Sequence, residues 1–146
     1  MRNYMTLPLV LYGRLLDPDN RKVLDDYIAM NTEFNSRIRK RQLFVYGGSA
    51  QGAIIPEVWN VHDAIGVVTS VVWYKNPHIN FKLFDTALGN SVKDMIMDKT
   101  IALGLTPDFI CRVDPYNSKK IIDIVTISRF GITTNNQEER NESNRI

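Results

Sequence analysis

Residues 64–83 read Ala64-Ile65-Gly66-Val67-Val68-Thr69-Ser70-Val71-Val72-Trp73-Tyr74, then Lys75-Asn76-Pro77-His78, then Ile79-Asn80-Phe81-Lys82-Leu83. The first run is rich in β-branched and aromatic side chains, which fit a pleated, half-buried surface. The middle four residues include Asn and Pro, the chemistry of a tight connection. In the last run Ile79, Phe81 and Leu83 alternate with Asn80 and Lys82, the period of a strand with one dry face. Two such strands joined by so short a link are expected to pair as an antiparallel hairpin.

The flanks extend this pattern. Asp85 or Thr86 is expected to open a helix whose stripe is Leu88, Val92, Met95, Ile96 and Leu103, with Gly104 as its terminator and Pro107 forbidding continuation. Residues 109–113 and 120–130 then read as a second strand pair around the loop Asp114-Pro115-Tyr116-Asn117-Ser118. Upstream, Val23, Leu24, Tyr27, Ile28, Phe34 and Ile38 recur at helical spacing, which predicts one helix over 21–39, capped by Asp19 or Asn20. Residues 42–46 read as a short strand, and Gly47-Gly48-Ser49-Ala50-Gln51-Gly52 as a flexible turn. Pro56 argues against a central strand over 53–59. The expected fold is therefore α+β: an antiparallel sheet of two β-hairpins flanking one helix (β-β-α-β-β), with an additional N-terminal helix. The expected organisation is an arm over 1–18, a single domain over 19–132 and a polar, mobile tail over 133–146.

Composition narrows the function classes. The chain has 146 residues, 44% hydrophobic and 23% charged, and this matches one ordinary soluble domain. Its one cysteine can form no internal bridge. No apolar run approaches the ~20 residues that cross a bilayer, and only Arg2 precedes the short apolar stretch at 5–12, so neither a membrane segment nor a signal peptide is expected. A cytoplasmic or virion setting follows. A formal net charge of +2 is far from that of a protein that coats nucleic acid.

Most chemistry-bearing residues have a plain reading. The Gly47–Gly52 loop lacks the following helix and Lys-Ser/Thr pair of a phosphate cradle. His62 and His78 sit at opposite ends of one predicted strand, too far apart to share a metal. Cys111 reads as a packed thiol, with Arg112 on the opposite face. Asp63 before one strand and Asn80-Phe81-Lys82 on the next resemble the spacing of a metal-dependent nuclease hairpin, but Asn80 stands where a magnesium site wants a carboxylate. Asp63 and Lys82 are accordingly weak catalytic candidates; no metal and no cofactor is expected.

Two interaction readings are stronger. Arg37-Ile38-Arg39-Lys40-Arg41 places four cations in five positions, more than a helix end needs. Arg37, Arg39, Lys40 and Arg41 are candidate contacts to nucleic acid or an acidic partner, with Phe44 and Tyr46 near enough to stack on bases. The apolar arm (Leu9, Leu11, Tyr12) and the consecutive Trp73 and Tyr74 are candidate protein contacts, because Trp and Tyr concentrate interface energy. The favoured expectation is a non-enzymatic interaction or assembly subunit that self-associates or binds a protein partner. Thirteen asparagines and polar ends suit a phage or mobile-element accessory or virion protein.

Overall fold

The computed structural model describes residues 3–48, 63–99 and 101–135. The readings of Ser49–Gly52, Pro56, Trp59, His62 and residues 136–146 lie outside them.

The elements run β1 (Tyr4–Pro8), a 3-10 turn (Gly13–Leu16), α1 (Pro18–Met30), α2 (Thr32–Arg39), β2 (Phe44–Tyr46), β3 (Ala64–Trp73), β4 (Pro77–Leu83), α3 (Ala87–Asp98), β5 (Leu103–Asp114) and β6 (Asn117–Thr134). All six strands form one sheet in the order β1-β4-β3-β2-β6-β5. The α+β class and both expected hairpins, β3–β4 and β5–β6, are present. The expected arrangement differs in three respects. Strands β1 and β2 join the sheet, β2 separates the two hairpins, and β2 runs parallel to β6. Sequence patterning missed this because parallel pairing of distant short segments leaves no local signature.

The sheet curls on itself. Leu9, just past β1, bridges to Leu105 of β5, and the Val10 amide donates to the Leu105 carbonyl at 2.8 Å. Gly104 makes this closure possible: a Cβ there would lie 2.3 Å from Val10 Cγ2 and 2.9 Å from the Pro8 carbonyl oxygen. Cross-strand partners share a face. Met5, Leu7, Ile79, Phe81, Val68, Val45, Phe130 and Leu105 therefore turn inward, and all are buried.

The helical pair ties the two hairpins together. Arg21 of α1 donates to the Asn76 side chain in the β3–β4 connection. Asn20 donates to the Lys119 carbonyl at 2.7 Å and accepts from the Ile121 amide at 2.9 Å on β6. Phe34 packs between Tyr27 and Phe130, with ring centroids 5.5 and 6.5 Å away.

The expected single helix is two. Asn31 accepts a hydrogen bond from the Phe34 amide at 2.8 Å and so caps α2, which ends α1 at Met30. The cap of α1 is Asp17, not Asp19 or Asn20: its carboxylate accepts from both of those amides, and Pro18 fills the first turn, where no amide is needed. Helix α3 stops at Asp98, with Lys99 in the left-handed region, so Leu103 and Gly104 belong to β5 and not to a helix. Pro107 lies in β5, where an edge position tolerates the missing donor.

β6 has an unusual rhythm. Its pairing with β5 shifts register at Asp108/Phe109, Ile110/Cys111 and Arg112/Val113. Each shift leaves one β6 residue without an opposite number: Ser128, Val125 and Ile122. A bulge every third residue converts the usual alternation into a period of three. Ile121, Ile124, Ile127 and Phe130 are buried, while Ile122, Val125 and Ser128 are exposed. The remaining column carries two ion pairs, Arg129–Asp108 at 2.8 Å and a forked Arg112–Asp123 pair.

Candidate interaction surfaces

The basic run does not act as one patch. Arg37 turns inward to β6, donating to the Ile127 carbonyl at 2.6 Å and the Ser128 carbonyl at 3.1 Å. These carbonyls lie at the first bulge, where the ladder is interrupted. Arg41 has φ 57 and occupies the left-handed position usually given to glycine after a helix, with the Gln42 amide bonded back to the Arg37 carbonyl at 2.8 Å. Its guanidinium donates to the Ile38 carbonyl at 2.8 Å and the Thr69 carbonyl at 3.3 Å on β3. Arg39 and Lys40 are left exposed.

The arm is integrated into the molecule. Leu9 and Leu11 are buried in its own core. Tyr12 shares a 2.7 Å hydrogen bond between its hydroxyl and Thr133 Oγ1. Trp73 and Tyr74 remain exposed at the β3–β4 end, where the Tyr74 ring meets His78 edge-on at 5.0 Å. His78 Nδ1 donates to the Asn76 carbonyl at 3.0 Å.

The hairpin candidates for metal chemistry are not brought together. Lys82 lies opposite Val67, four residues along β3 from Asp63, a separation of ~13 Å at ~3.3 Å per residue. Among the described residues no three His, Cys, Asp or Glu side chains converge to hold a metal ion. Cys111 is part-buried against the core, and its sulfur accepts a long contact from Arg14, not Arg112. Gly47 and Gly48 are buried, and the Gly47 amide donates to the Asp63 carbonyl at 3.1 Å.

Two surfaces escaped the sequence reading. The first is the outer face of β2, β3, β4 and β1. A single cross-strand row there runs Phe44, Val67, Lys82, Tyr4. Lys82 Nζ sits 5.6 Å from the centre of the Tyr4 ring. The next row is polar: Thr6 donates to Asn80, whose amide donates to Ser70 Oγ at 2.8 Å. The four strands contain no Asp or Glu. The register that assembles this row includes β1 and β2, so no local pattern announces it.

The second lies between α1 and β6. A groove of about 400 Å³ is lined by Val23, Tyr27, Met30, Ile122 and Ile124, with Asp26 and Asp123 on its rim. Met30 is 70% exposed, Ile122 48% and Val125, one bulge along, 50%. Here a signal was available: the isoleucines at 121, 124 and 127 fit neither period two nor 3.6.

Electrostatic perturbations are few. Hydrogen bonding from Arg112 holds the Asp123 carboxyl below its ordinary value and raises Arg112 in return. Burial pushes the Asp25 carboxyl up, against the pull of the Arg21 charge, and its Oδ1 is buried with no hydrogen-bond partner. A further groove of about 580 Å³ holds Arg14, Lys119 and Lys120 beside Asp17 and Asp19. Its charges oppose one another, and its one buried polar side chain, Asn20, is fully engaged with backbone.

The chain matches no protein-family model, no curated protein and no solved structure. Among the described residues no helix is long and apolar enough to cross a membrane.

Proposed function

We propose that this protein is a non-enzymatic assembly subunit that binds a second copy of itself, in the setting of a phage or mobile-element particle. The observation that carries this is the outward thrust of Ile122 and Val125 by consecutive bulges, beside Met30 on α1. The bulges keep one residue of every β6 triplet in register with the core, so selection for folding alone would accept polar residues at the exposed positions, as Ser128 illustrates. Ile122 and Met30 line one groove, Val125 is exposed one bulge along, and large apolar groups exposed together mark an interaction surface.

A second copy is favoured by the rim. Lys22 pairs with Asp26 at 3.1 Å on α1, and Arg112 pairs with Asp123 on the hairpin. Both signs of charge flank the apolar groups on both elements. A two-fold contact needs such a self-complementary border, because the same patch must face itself. Trp73 and Tyr74 offer a separate contact for further association.

Light scattering over a wide concentration range tests this. The wild-type chain should exceed its 16.8 kDa monomer mass. The Ile122→Ser/Val125→Ser double variant should run as a monomer with an unchanged melting temperature, and Trp73→Ala should leave the first dimer intact. A wild-type protein that stays monomeric at all concentrations overturns the proposal.

A further inference from the structure

We infer that the outer face of β2-β3-β4-β1 is a binding platform for single-stranded nucleic acid, a role that goes beyond self-association and uses a different side of the molecule. Three features of that face coincide. Tyr4 is 62% exposed and Phe44 37%, and they stand at the two ends of one cross-strand row. Three strand spacings of ~4.8 Å separate them by ~14 Å, the length of about four base steps at ~3.4 Å. An exposed aromatic ring at each end of the row offers a stacking surface that every base can use.

The electrostatics suit a phosphate backbone. Lys82 lies in the row between the rings, and the four strands carry no acid to oppose it. Asp63 and Asp85 lie just beyond the ends of β3 and β4. Arg41 anchors the end of α2 to β3 through the Thr69 carbonyl, and the exposed Arg39 and Lys40 directly precede it in the segment that leads to Phe44. The centre of the face supplies hydrogen-bonding groups: Thr6, Asn80 and Ser70 form a continuous polar line one row away.

A duplex hides its base faces, so the platform selects a single strand. The test is fluorescence anisotropy of a labelled 15-nucleotide oligo-dT titrated with the full chain, against a duplex of equal length. The single strand should bind at least ten-fold more tightly than the duplex. Tyr4→Ala and Phe44→Ala should each weaken binding about five-fold or more, the range of lost base stacking. Tyr4→Phe and Phe44→Tyr keep a ring and should bind like the wild type. Lys82→Gln should lower the slope of log affinity against log salt by ~0.7, one phosphate contact on a single strand. All three residues are exposed, and thermal melts verify folding.

Equal affinity for duplex and single strand overturns the inference, as does the absence of binding at low salt. So does full affinity in both alanine variants when Arg39→Glu abolishes binding, because contact would then rest on the helix end alone. Repeating the titration with the Ile122→Ser/Val125→Ser variant keeps the two proposals apart: retained binding by a monomer supports the platform whatever the fate of self-association, and lost binding in a folded monomer overturns a platform contained within one chain.

Discussion

Replacing Arg37 by Ala separates a structural cation from its surface neighbours. The guanidinium donates to two carbonyls of β6, Ile127 at 2.6 Å and Ser128 at 3.1 Å. Charged hydrogen bonds contribute ~1.5–3 kcal/mol each when protected, and less where water competes. The contact to Ile127 is part-buried and that to Ser128 exposed, so ~2 kcal/mol for the first and well under ~1 kcal/mol for the second are reasonable. Releasing the side chain returns up to ~2 kcal/mol of rotamer entropy, but the carbonyl left behind at the bulge costs ~1–3 kcal/mol if it stays dry. The net loss is ~1.5–3 kcal/mol. At roughly 3 °C per kcal/mol for a domain of this size, the melting temperature should fall by about 5–9 °C. Differential scanning calorimetry measures it, with Arg39→Ala as the control. Arg39 is exposed and should change stability by less than ~0.5 kcal/mol. Arg37→Lys should recover only part of the loss, because an ammonium cannot fork between two carbonyls. A melt of Arg37→Ala within 1 °C of wild type (well inside ~0.5 kcal/mol) would refute the assignment, and so would an equal loss in Arg39→Ala.

Three further substitutions probe the frame. Gly104→Ala places a Cβ 2.3 Å from Val10 Cγ2 and 2.9 Å from the Pro8 carbonyl, and should cost ~1–3 kcal/mol in urea titration; adding Val10→Ala should restore only part, since the carbonyl remains, and an undiminished midpoint would show that the closure is loose. Asn31→Ala removes the cap of α2 and should cost ~1 kcal/mol with an unchanged m value, whereas a loss below ~0.3 kcal/mol would make the helix break independent of the cap. Asp25→Asn acts through pH: burial raises the folded pKa above the unfolded value near 3.8, so the folded state binds the proton more tightly and wild-type stability falls as pH rises through that window. The variant should therefore be more stable than wild type at pH 7 and indistinguishable below pH ~3, and a pH-independent difference would contradict the burial effect.

The hairpins were legible because their information is local. Alternation in residues 79–83 and the short turn before them need no distant partner, and β3–β4 forms as expected. What escaped was set by contacts between remote segments. The capping of α2 by Asn31 competes with a hydrophobic stripe that continues through it, and the stripe alone predicts one helix. Leu9 and Leu11 looked like surface contacts because nothing near them in sequence offers a core; the β1–β5 closure, almost a hundred residues away, provides one. Leu103 and Gly104 fit a helical stripe and terminator equally well as a strand start, and the closure at Val10 decides between them. For the candidate surfaces the same division holds. Cation density in residues 37–41 was visible, but which cations are consumed by backbone carbonyls depends on the bulge in β6 and the position of β3.

Net charge is blind to this sorting for a related reason. A balance of +2 averages over segments that the fold keeps apart. Strands β1 to β4 hold a lysine and a histidine but no carboxylate, whereas β5 and β6 match Asp108 with Arg129 and Asp123 with Arg112. The paired half neutralises itself locally and presents isoleucine and valine between its ion pairs, which suits contact with a like surface. The other half carries a lysine and exposed rings on strands that hold no carboxylate, which suits a polyanion with faces to stack. A mean charge near zero is thus compatible with two surfaces of opposite preference, because each strand's partner decides which charges are already answered within the chain. Moving one carboxylate would test this sorting directly. Thr6→Glu puts an acid into the polar row beside Lys82, so it should depress single-strand binding without altering the mass in solution. A change in both would mean that the two surfaces are one.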